Sequence, residues 1–144
     1  LRLFNVYGPR QSKSYAGVIT EFIKRVSRGE PPVIYGDGEQ TRDFVHVVDV
    51  VEAVVTSIKC ERARGVYNVG SGRAVSVNEL AKTITELAGR PDLKPVYKPP
   101  RPGDVRHSVA DISRAVTELR FNPRIHLLEG LRELILGDVA NGTV

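Results

Sequence analysis

The sequence predicts an α/β fold in which short strands alternate with amphipathic helices. Three observations predict it: short β-rich apolar runs closed by glycine or proline, apolar residues at helical spacing between those runs, and proline-broken segments near both ends of the pattern. The alternation is typical of a parallel sheet covered by helices, and the proline-broken segments indicate a small irregular lobe attached to it. With 144 residues and 41% hydrophobic content, the chain is long enough for one compact domain.

The chain opens with a strand and a helix. Leu1 to Val6 is a mostly apolar, β-rich run, which predicts a strand covered on both faces, as in a parallel sheet. A helix is predicted from about Tyr15 to Gly29, with Gly29 as its stop signal. The apolar residues at helical spacing are Val18, Ile19, Phe22, Ile23 and Val26.

Two further strands are predicted around a glycine turn. Val33 to Tyr35 lies between Pro32 and the Gly36-Asp37-Gly38 turn, and Asp43 to Val48 has the apolar, β-branched character of a second strand. Arg42 is therefore expected where a loop enters a strand.

Two pairs of residues have the spacing of a helical capping box: Asp49 with Glu52, and Ser76 with Glu79. They predict helices that end at about residues 59 and 88. A strand over Gly65 to Val69 is expected between them.

The last third of the chain begins with the proline-rich segment KPVYKPPRPGD, which predicts an extended strand followed by a stiff loop. Asp111 is expected to cap a short helix that ends at Leu119. A final helix is predicted from about Leu127 to Leu136. Its apolar face is expected to contain Leu128, Leu131, Leu134 and Ile135.

Composition excludes several classes of protein. No run approaches the roughly 20 apolar residues of a membrane span, and the start has no signal-peptide pattern, so we expect a cytoplasmic protein without membrane contact. The net charge is +4, but the arginines are scattered singly among acidic residues, which suits a small anionic ligand and not nucleic acid. The start without Met, directly in an apolar run, leads us to expect a piece of a longer chain.

Metal and cysteine chemistry are not expected. Cys60 is the single cysteine and is predicted to be a small, buried or half-buried side chain. His46, His107 and His126 lie far apart without ligand spacing, and His46 is expected to be a packed, hydrogen-bonded core residue. The Gly70-x-Gly72 and Gly36-Asp37-Gly38 turns lack the further residues of a dinucleotide or Walker loop.

The arginines presented from stiff loops are the main binding candidates. Arg42 follows the glycine turn and Arg101 stands between prolines, so two guanidinium groups could converge on a diphosphate through charge-assisted hydrogen bonds. The alternative for Arg42 is a surface ion pair with Asp43 or Glu39.

Four other candidates each have a structural alternative. Val33 and Tyr35 could form an apolar edge on which a base stacks, or a core strand. Asn5 ends the first strand, where ligands bind in parallel sheets, or it begins a turn. Asp104 could accept a hydroxyl group, or only brace its turn.

Four segments in order carry a resemblance to a known family. They are LRLFNVYGPRQ, RGEPPVIYGDGEQTRDFVHVVDVVEAV, GVYNVGSGRAVSVNELA and RPGDVRHSVADISRA. Together they resemble the carboxyl-terminal half of the extended short-chain dehydrogenase/reductase family, most closely its NAD-dependent nucleotide-sugar epimerases of the UDP-glucose 4-epimerase type, over about Leu1 to Leu136. The resemblance implies that residues 1–144 are a single fragment with the last Rossmann strands and helices plus a small substrate-binding lobe, without the amino-terminal NAD-binding half.

The resemblance also implies roles for individual residues. Asn5 matches an asparagine at the sugar-nucleotide phosphates, Arg42 the arginine that holds the diphosphate, and Arg101 with Asp104 the residues that close over phosphate and ribose. Val33 and Tyr35 match the edge that brackets uracil. Leu3, Phe4 and Val6 match residues near the nicotinamide end of NAD, mostly through their backbone.

The activity implied is UDP-hexose 4-epimerisation with NAD, in which this chain supplies the UDP-sugar-binding half. The GxxGxxG loop and the catalytic Tyr-x-x-x-Lys pair of the family are not in this sequence, so we expect the chain alone to be inactive and NAD to be bound mainly by the absent half. The full-length enzyme is expected to be a homodimer. Ser108 stands where some epimerases have a tyrosine facing the sugar, which leaves the hexose preference open.

Two alternatives remain at this point. A sugar-nucleotide 4,6-dehydratase or a UDP-glucuronate decarboxylase would share much of the TRDF and RPGD context. A protein of another class, a non-catalytic nucleotide-sugar-binding module, would use the same binding residues.

Overall fold

The computed structural model describes residues 1–12 and 17–140, with side chains up to residue 137. Its elements alternate as predicted, and the α/β class is confirmed. In chain order they are β1 Arg2–Leu3, β2 Asn5–Tyr7, α1 Val18–Ser27, β3 Val33–Tyr35, β4 Thr41–Arg42, β5 Phe44–His46, α2 Val47–Lys59, β6 Asn68–Val69, β7 Val75–Ser76, α3 Val77–Leu87, β8 Val96–Lys98, α4 Ser113–Leu119 and α5 Leu127–Ala140.

The first strand segment is flanked by two parallel partners. β1 pairs with β6, and β2 pairs with β5. The Phe4 amide donates to the Val69 carbonyl at 2.9 Å, whereas the next amide, that of Asn5, donates to the Asp43 carbonyl at 3.1 Å. Because successive amides of an extended chain point to opposite edges, β5 and β6 lie on opposite sides of this segment.

The smaller lobe contains the remaining strands. β3 pairs in parallel with β8, and β4 pairs antiparallel with β7. The proline-rich segment is therefore an extended strand followed by a loop, as predicted. β4 continues into β5 after one residue, so the lobe is joined directly to the strands of the first segment.

Two hydrophobic clusters fill the interior. The first cluster joins α1, α3, α5 and β3, and its buried residues include Phe22, Ile34, Leu80, Ile84 and Leu131. The second cluster joins α2, α4, β5 and β6. Its buried residues are Val45, Val50, Ala53, Tyr67, Val69, Ala115, Leu119 and Phe121.

Local sequence signals predicted two helices well. α1 buries Ile19, Phe22, Ile23 and Val26, the stripe expected from spacing. The predicted start at Tyr15 lies outside the described residues. α3 begins after Ser76, whose hydroxyl accepts a hydrogen bond from the Glu79 amide at 3.1 Å, so Ser76 is confirmed as the N-cap.

The predicted cap of α2 is wrong. The helix begins at Val47, two residues before Asp49, and its N-cap is His46, whose Nδ1 accepts from the Val48 amide at 3.4 Å. Asp49 is buried in the first turn and accepts the amides of Arg124 and Ile125 at 3.0 and 3.1 Å. The Asp49 carboxylate was predicted to cap the helix, but it is used instead in a tertiary contact with residues 124 and 125.

Several strand predictions were too long. The first strand is interrupted at Phe4, and Leu1 and Leu3 are exposed instead of covered. The strand predicted over Asp43 to Val48 is only β5, since its last two residues belong to α2. The strand predicted over Gly65 to Val69 is only β6, because its partner β1 has two residues.

The carboxyl-terminal helices also depart from expectation in detail. Asp111 accepts the Ser113 amide at 3.0 Å but is not the N-cap of α4, which is Ile112. α5 continues beyond Leu136 to Ala140, and Leu128 is exposed although it was predicted on the apolar face. Among the described helices, none is both long and apolar enough to cross a membrane.

The cysteine and histidine predictions hold in part. Cys60 is half-buried, as expected. His46 is buried and its ring meets Tyr7 edge-on at 5.2 Å between centroids. Its Nε2 atom has no hydrogen-bond partner and lies 3.6 Å from the Glu133 carboxylate, so only one ring nitrogen is hydrogen-bonded. Burial, followed by the nearby carboxylates of Asp49 and Glu133, raises the pKa of the Tyr7 phenol.

Candidate functional site

A cleft runs along the edge of β3 and β8 beside α1. It consists of two adjoining cavities of about 520 and 610 Å³. Both are lined by Tyr35, Gln40, Lys98, Arg101 and Asp104. Because the two cavities share these five residues, they form one cleft.

Tyr35 and Arg101 stack on each other in this cleft. The Arg101 guanidinium carbon lies 3.9 Å from the centre of the Tyr35 ring, within the range of a cation–π contact. The adjacent Arg101 and then Lys98 lower the pKa of the Tyr35 phenol from its ordinary value. The Tyr35 ring thus has one face in contact with a planar cation, which is also the geometry in which a base would stack.

Arg42 is held firmly on the floor of the cleft. Its Nη1 donates to the carbonyls of Thr41 and Val105 at 2.8 and 2.5 Å, and its Nη2 donates to the Asp104 carboxylate. The Arg42 side chain is only 17% exposed. The alternative prediction for Arg42 was an ion pair with Asp43 or Glu39. It is wrong in its choice of partner, because the carboxylate that pairs with Arg42 is that of Asp104.

Arg101 and Asp104 belong to one tight turn. The Asp104 amide donates to the Arg101 carbonyl at 3.2 Å, Pro102 stands at the second position, and Gly103 at the third has a φ of 78°. Proline at the second position and a glycine with positive φ at the third define a type II turn. The turn fixes the two functional side chains relative to each other.

The segment after this turn is attached to β4. The Thr41 amide donates to the Arg106 carbonyl at 2.9 Å, and the Ser108 amide donates to the Thr41 carbonyl at 3.1 Å. Arg106 also bonds the Asp37 carboxylate at 2.6 Å, and this partner lowers the pKa of Asp37 to about 2. Since Thr41 precedes Arg42, these contacts place the loop beside the arginine on the cleft floor.

Asp43, next to Arg42, organises the interior behind the cleft. Its carboxylate is fully buried and accepts the amides of Ser71, Gly72 and Ala110 at 2.7, 2.9 and 3.1 Å, together with the Ser71 hydroxyl at 2.6 Å. A Cβ at Gly70 would lie 2.6 Å from this carboxylate. The Gly70-x-Gly72 turn therefore binds an anion, but the anion is a side chain of the same protein.

Sequence reasoning missed the role of Asp43. The signal that could have revealed it was the glycine turn at residues 70–72, since consecutive amides there favour an anionic partner. It also missed Gln40, which is buried and donates to the Tyr35 carbonyl at 2.7 Å, and Lys98, which lines both cavities.

The predicted substrate residues are brought together with one exception. Val33, Tyr35, Arg42, Arg101 and Asp104 line the cleft. Asn5 is not among the residues that line it. The Asn5 side-chain amide donates instead to the carbonyl of Asp43, the residue that follows Arg42, at 2.9 Å. Its predicted phosphate contact stays a prediction.

The predicted cofactor residues lie on either side of Asn5 in the first strand segment. Leu3 is exposed, the Phe4 amide is already bonded to the Val69 carbonyl, and Val6 packs against the second cluster. Their proximity to a nicotinamide stays a prediction. In the described part of the chain no group of three His, Cys, Asp or Glu side chains is placed to hold a metal ion.

The arrangement suits binding more than proton transfer. It offers an aromatic face, a buried and oriented guanidinium, and two cations, Lys98 and Arg101, that form no ion pair within the described residues. Two arginines within one cleft can hold a diphosphate with charge-assisted, directional hydrogen bonds.

The sequence matches a family model and several known proteins. Residues 1–70 match the model of the NAD dependent epimerase/dehydratase family. The UDP-glucose 4-epimerase of Mycolicibacterium smegmatis is 40% identical over 132 residues, which cover 91% of this chain and 42% of that protein. UDP-glucuronic acid decarboxylase 1 of Arabidopsis thaliana is 34% identical over 134 residues, covering 93% of this chain and 30% of that protein.

A solved structure agrees with these relatives. The crystal structure of UDP-glucose 4-epimerase with UDP-glucose from Thermotoga maritima matches with a TM-score of 0.89 at 43% identity, covering 99% of this chain and 46% of that one. This chain thus spans less than half the length of these relatives. The matched fold is the carboxyl-terminal part of a Rossmann-type extended short-chain dehydrogenase/reductase, and the match to the NAD dependent epimerase/dehydratase family covers residues 1–70 of this chain.

Proposed function

We propose that this chain supplies the UDP-sugar-binding half of an NAD-dependent UDP-hexose 4-epimerase. One observation carries the proposal: Tyr35, Arg42, Arg101 and Asp104 line a single cleft, in a fold that matches a UDP-glucose 4-epimerase solved with UDP-glucose. The other relatives support the nucleotide-sugar class but differ in reaction, since they include a UDP-glucuronic acid decarboxylase.

Each cleft residue has a distinct part in the proposed complex. The uracil ring stacks on Tyr35 beside Val33, and the diphosphate lies against Arg42 and Arg101. Asp104 accepts a ribose hydroxyl, and Asn5 reaches the phosphates from the end of β2. These groups hold the nucleotide in place while the sugar reacts, so their contribution to rate is positioning.

NAD is the cofactor of the family, and it supplies hydride transfer when bound. The residues of this chain fit only a small share of its binding. Leu3 offers an exposed apolar side chain, but the Phe4 amide is already used by the sheet. We therefore propose that the amino-terminal half binds most of the cofactor.

We also propose that this amino-terminal half covers the second cluster. α2 exposes a row of apolar side chains, and the segment that contains β1 exposes two more. The exposed residues are Leu1, Leu3, Val48, Val51, Val54, Val55 and Ile58. An exposed apolar surface of this extent marks an interaction site, and the relatives are more than twice as long as the aligned segment. The full-length enzyme is proposed to be a homodimer.

Two measurements test the proposal. Calorimetry of this chain with UDP-glucose should detect binding that is lost in Arg42→Ala. The chain joined to the amino-terminal half of the M. smegmatis relative should convert UDP-galactose to UDP-glucose in the presence of NAD. A joined enzyme that binds NAD but converts no UDP-hexose contradicts the epimerase. Micromolar binding of UDP-glucose by this chain, without activity in any joined form, favours the non-catalytic binding module.

The second candidate reaction is UDP-glucuronate decarboxylation or a sugar-nucleotide 4,6-dehydration. The Arabidopsis relative, 34% identical, favours the first of these. The decarboxylase is favoured over the epimerase if the joined protein releases carbon dioxide from UDP-glucuronate and forms no 4-epimer from UDP-glucose.

A further inference from the structure

We infer that Arg101 and Asp104 make the cleft selective for ligands that carry both a base and a diphosphate, because each of the two side chains occupies the place of one of these groups. The inference rests on the proposed function and concerns the same cleft. It adds a reason why neither a nucleoside nor an inorganic diphosphate should bind well alone.

The first step concerns Arg42 and Asp104. The Arg42 guanidinium donates to the Asp104 carboxylate and to two carbonyls. An anionic ligand and Asp104 therefore compete for the same cation. The Arg42 side chain is mostly buried, so solvent screens its attraction to an anion less than at an open surface. The repulsion between a bound diphosphate and the Asp104 carboxylate is screened less for the same reason.

The second step concerns Tyr35 and Arg101. A guanidinium 3.9 Å from the ring centre covers one face of the Tyr35 ring. A base that stacks on this face must either displace Arg101 or stack on the outer face of its guanidinium. Displacement of Arg101 gives up the cation–π contact with Tyr35.

The third step couples the two replacements. Arg101 and Asp104 are the first and last residues of one type II turn, closed by a 3.2 Å hydrogen bond and stiffened by Pro102. The turn is anchored on one side by the pairing of β8 with β3 and on the other by the contacts of residues 106–108 with Thr41. Because the turn is closed and held at both ends, displacement of either side chain strains the backbone that also positions the other.

The consequence is a preference for the complete nucleotide. When pyrophosphate displaces Asp104, the strained turn weakens the contact of Arg101 with Tyr35, and pyrophosphate has no base to take its place. Uridine that displaces Arg101 disturbs the Arg42 pair without supplying a new anion. A nucleoside diphosphate replaces both contacts at once, and its released Arg101 can bond the diphosphate.

The test uses inorganic pyrophosphate, uridine and UDP as probes in calorimetry of the full chain. Asp104→Asn removes the competing charge but keeps the size of the side chain. We expect it to bind pyrophosphate about 5-fold or more tightly than the wild type, since coupling of this kind spans about 5–150-fold. Asp92→Asn, which removes an exposed carboxylate paired with Arg90, is the matched control and should leave pyrophosphate affinity unchanged.

The inference predicts positive cooperativity between the two halves of the ligand. In the wild type, saturating pyrophosphate should raise the affinity for uridine, and this effect should disappear in Asp104→Asn. Asp104→Ser, with a smaller neutral side chain, should behave as Asp104→Asn does, and thermal melting of each variant verifies that it folds.

The outcomes separate this inference from the proposed function. Equal or weaker pyrophosphate binding by both Asp104 variants, in a chain that binds UDP, overturns the selectivity and leaves the proposed function standing. Failure of the wild type to bind UDP-glucose, while pyrophosphate binds more tightly in Asp104→Asn, supports the competition and contradicts the nucleotide-sugar function. No binding of any probe by any variant overturns the selectivity and favours a nucleotide site that needs the amino-terminal half, which the joined protein then tests.

Discussion

The two hydrophobic clusters differ in how completely this chain covers them. The first cluster is enclosed by α1, α3 and α5, and it supports the cleft through β3. The second cluster is covered on one side by α4, but the outward side of α2 exposes Val51 and Ile58. In α2 buried and exposed valines alternate closely: Val50 is 7% exposed and Val51 is 56% exposed.

This difference separates the candidate binding region from the region proposed to associate with an amino-terminal half. The cleft lies over the enclosed cluster, whose packing holds its residues in place. The uncovered side belongs to the cluster around β6 and α2, where apolar side chains without a cover indicate an interaction surface. Substitutions that distinguish buried from exposed positions in each region therefore test the comparison directly.

The largest effect is expected in the enclosed cluster. Leu131→Ala removes a fully buried side chain of α5 and should lower the free energy of unfolding by about 3 kcal/mol, because it leaves a cavity. Leu128→Ala makes the same chemical change in the same helix at a position 49% exposed, and should cost less than about 0.5 kcal/mol. Urea denaturation measures both, and similar losses for the two variants would show that α5 does not seal the first cluster.

Glycines in α5 offer a second pair with opposite signs. A Cβ at Gly130 would lie 2.3 Å from the Tyr7 hydroxyl oxygen, so Gly130→Ala should destabilise the chain by about 1–3 kcal/mol through overpacking. A Cβ at Gly137 meets nothing within 4 Å. Gly137→Ala should stabilise the helix by about 0.5–1 kcal/mol, because alanine is the better helix former. Thermal unfolding distinguishes them, and a stabilising Gly130→Ala would contradict the close contact of Tyr7 with α5.

The third pair tests the uncovered cluster. Val50→Ala should cost about 1.5 kcal/mol of the free energy of unfolding, whereas Val51→Ala should stay within about 0.5 kcal/mol. In the protein joined to an amino-terminal half, Val51→Ala should become clearly destabilising, since the exposed valine is then covered. If Val51→Ala lowers the free energy of unfolding equally in this chain and in the joined protein, the amino-terminal half does not cover α2.

The smallest effect is a pH dependence of the lobe that contains the cleft. Arg106 lowers the pKa of Asp37 from 3.8 to about 2. A lowered pKa in the folded state contributes stability that is present above pH 3.8 and is lost as the pH falls toward about 2. Both groups are exposed, so the effect is small. Arg106→Gln should flatten the change in unfolding midpoint between these pH values, and an unchanged slope would show that the pair contributes nothing.

Elements specified by neighbouring residues were predicted well from the sequence. The Ser76 cap of α3 depends on an amide three residues away, and the α1 stripe depends on spacing alone. The errors arose where a distant segment decided the outcome. Asp49 bonds residues 124 and 125, so it was unavailable as a cap, and β6 is short because β1 is short.

The site divides in the same way. The residues of the cleft could be assigned by resemblance, and the stiff turn could be predicted from Pro102 and Gly103. The pairing of Arg42 with Asp104 joins positions 62 residues apart, and the buried Asp43 bonds positions 28 to 67 residues away. Sequence spacing contains no information about contacts of this range, which depend on how the strands bring the loops together.

The three-residue strand β5 has a consequence for how the protein unfolds. Phe44 packs in the first cluster and the adjacent Val45 packs in the second, because neighbouring side chains of a strand lie on opposite faces. One short strand is thus a wall common to both clusters, and its hydrogen bonds to β2 must break before either cluster opens fully. The two regions should therefore lose structure as a single cooperative unit, with the amide of Val45 among the slowest to exchange with solvent.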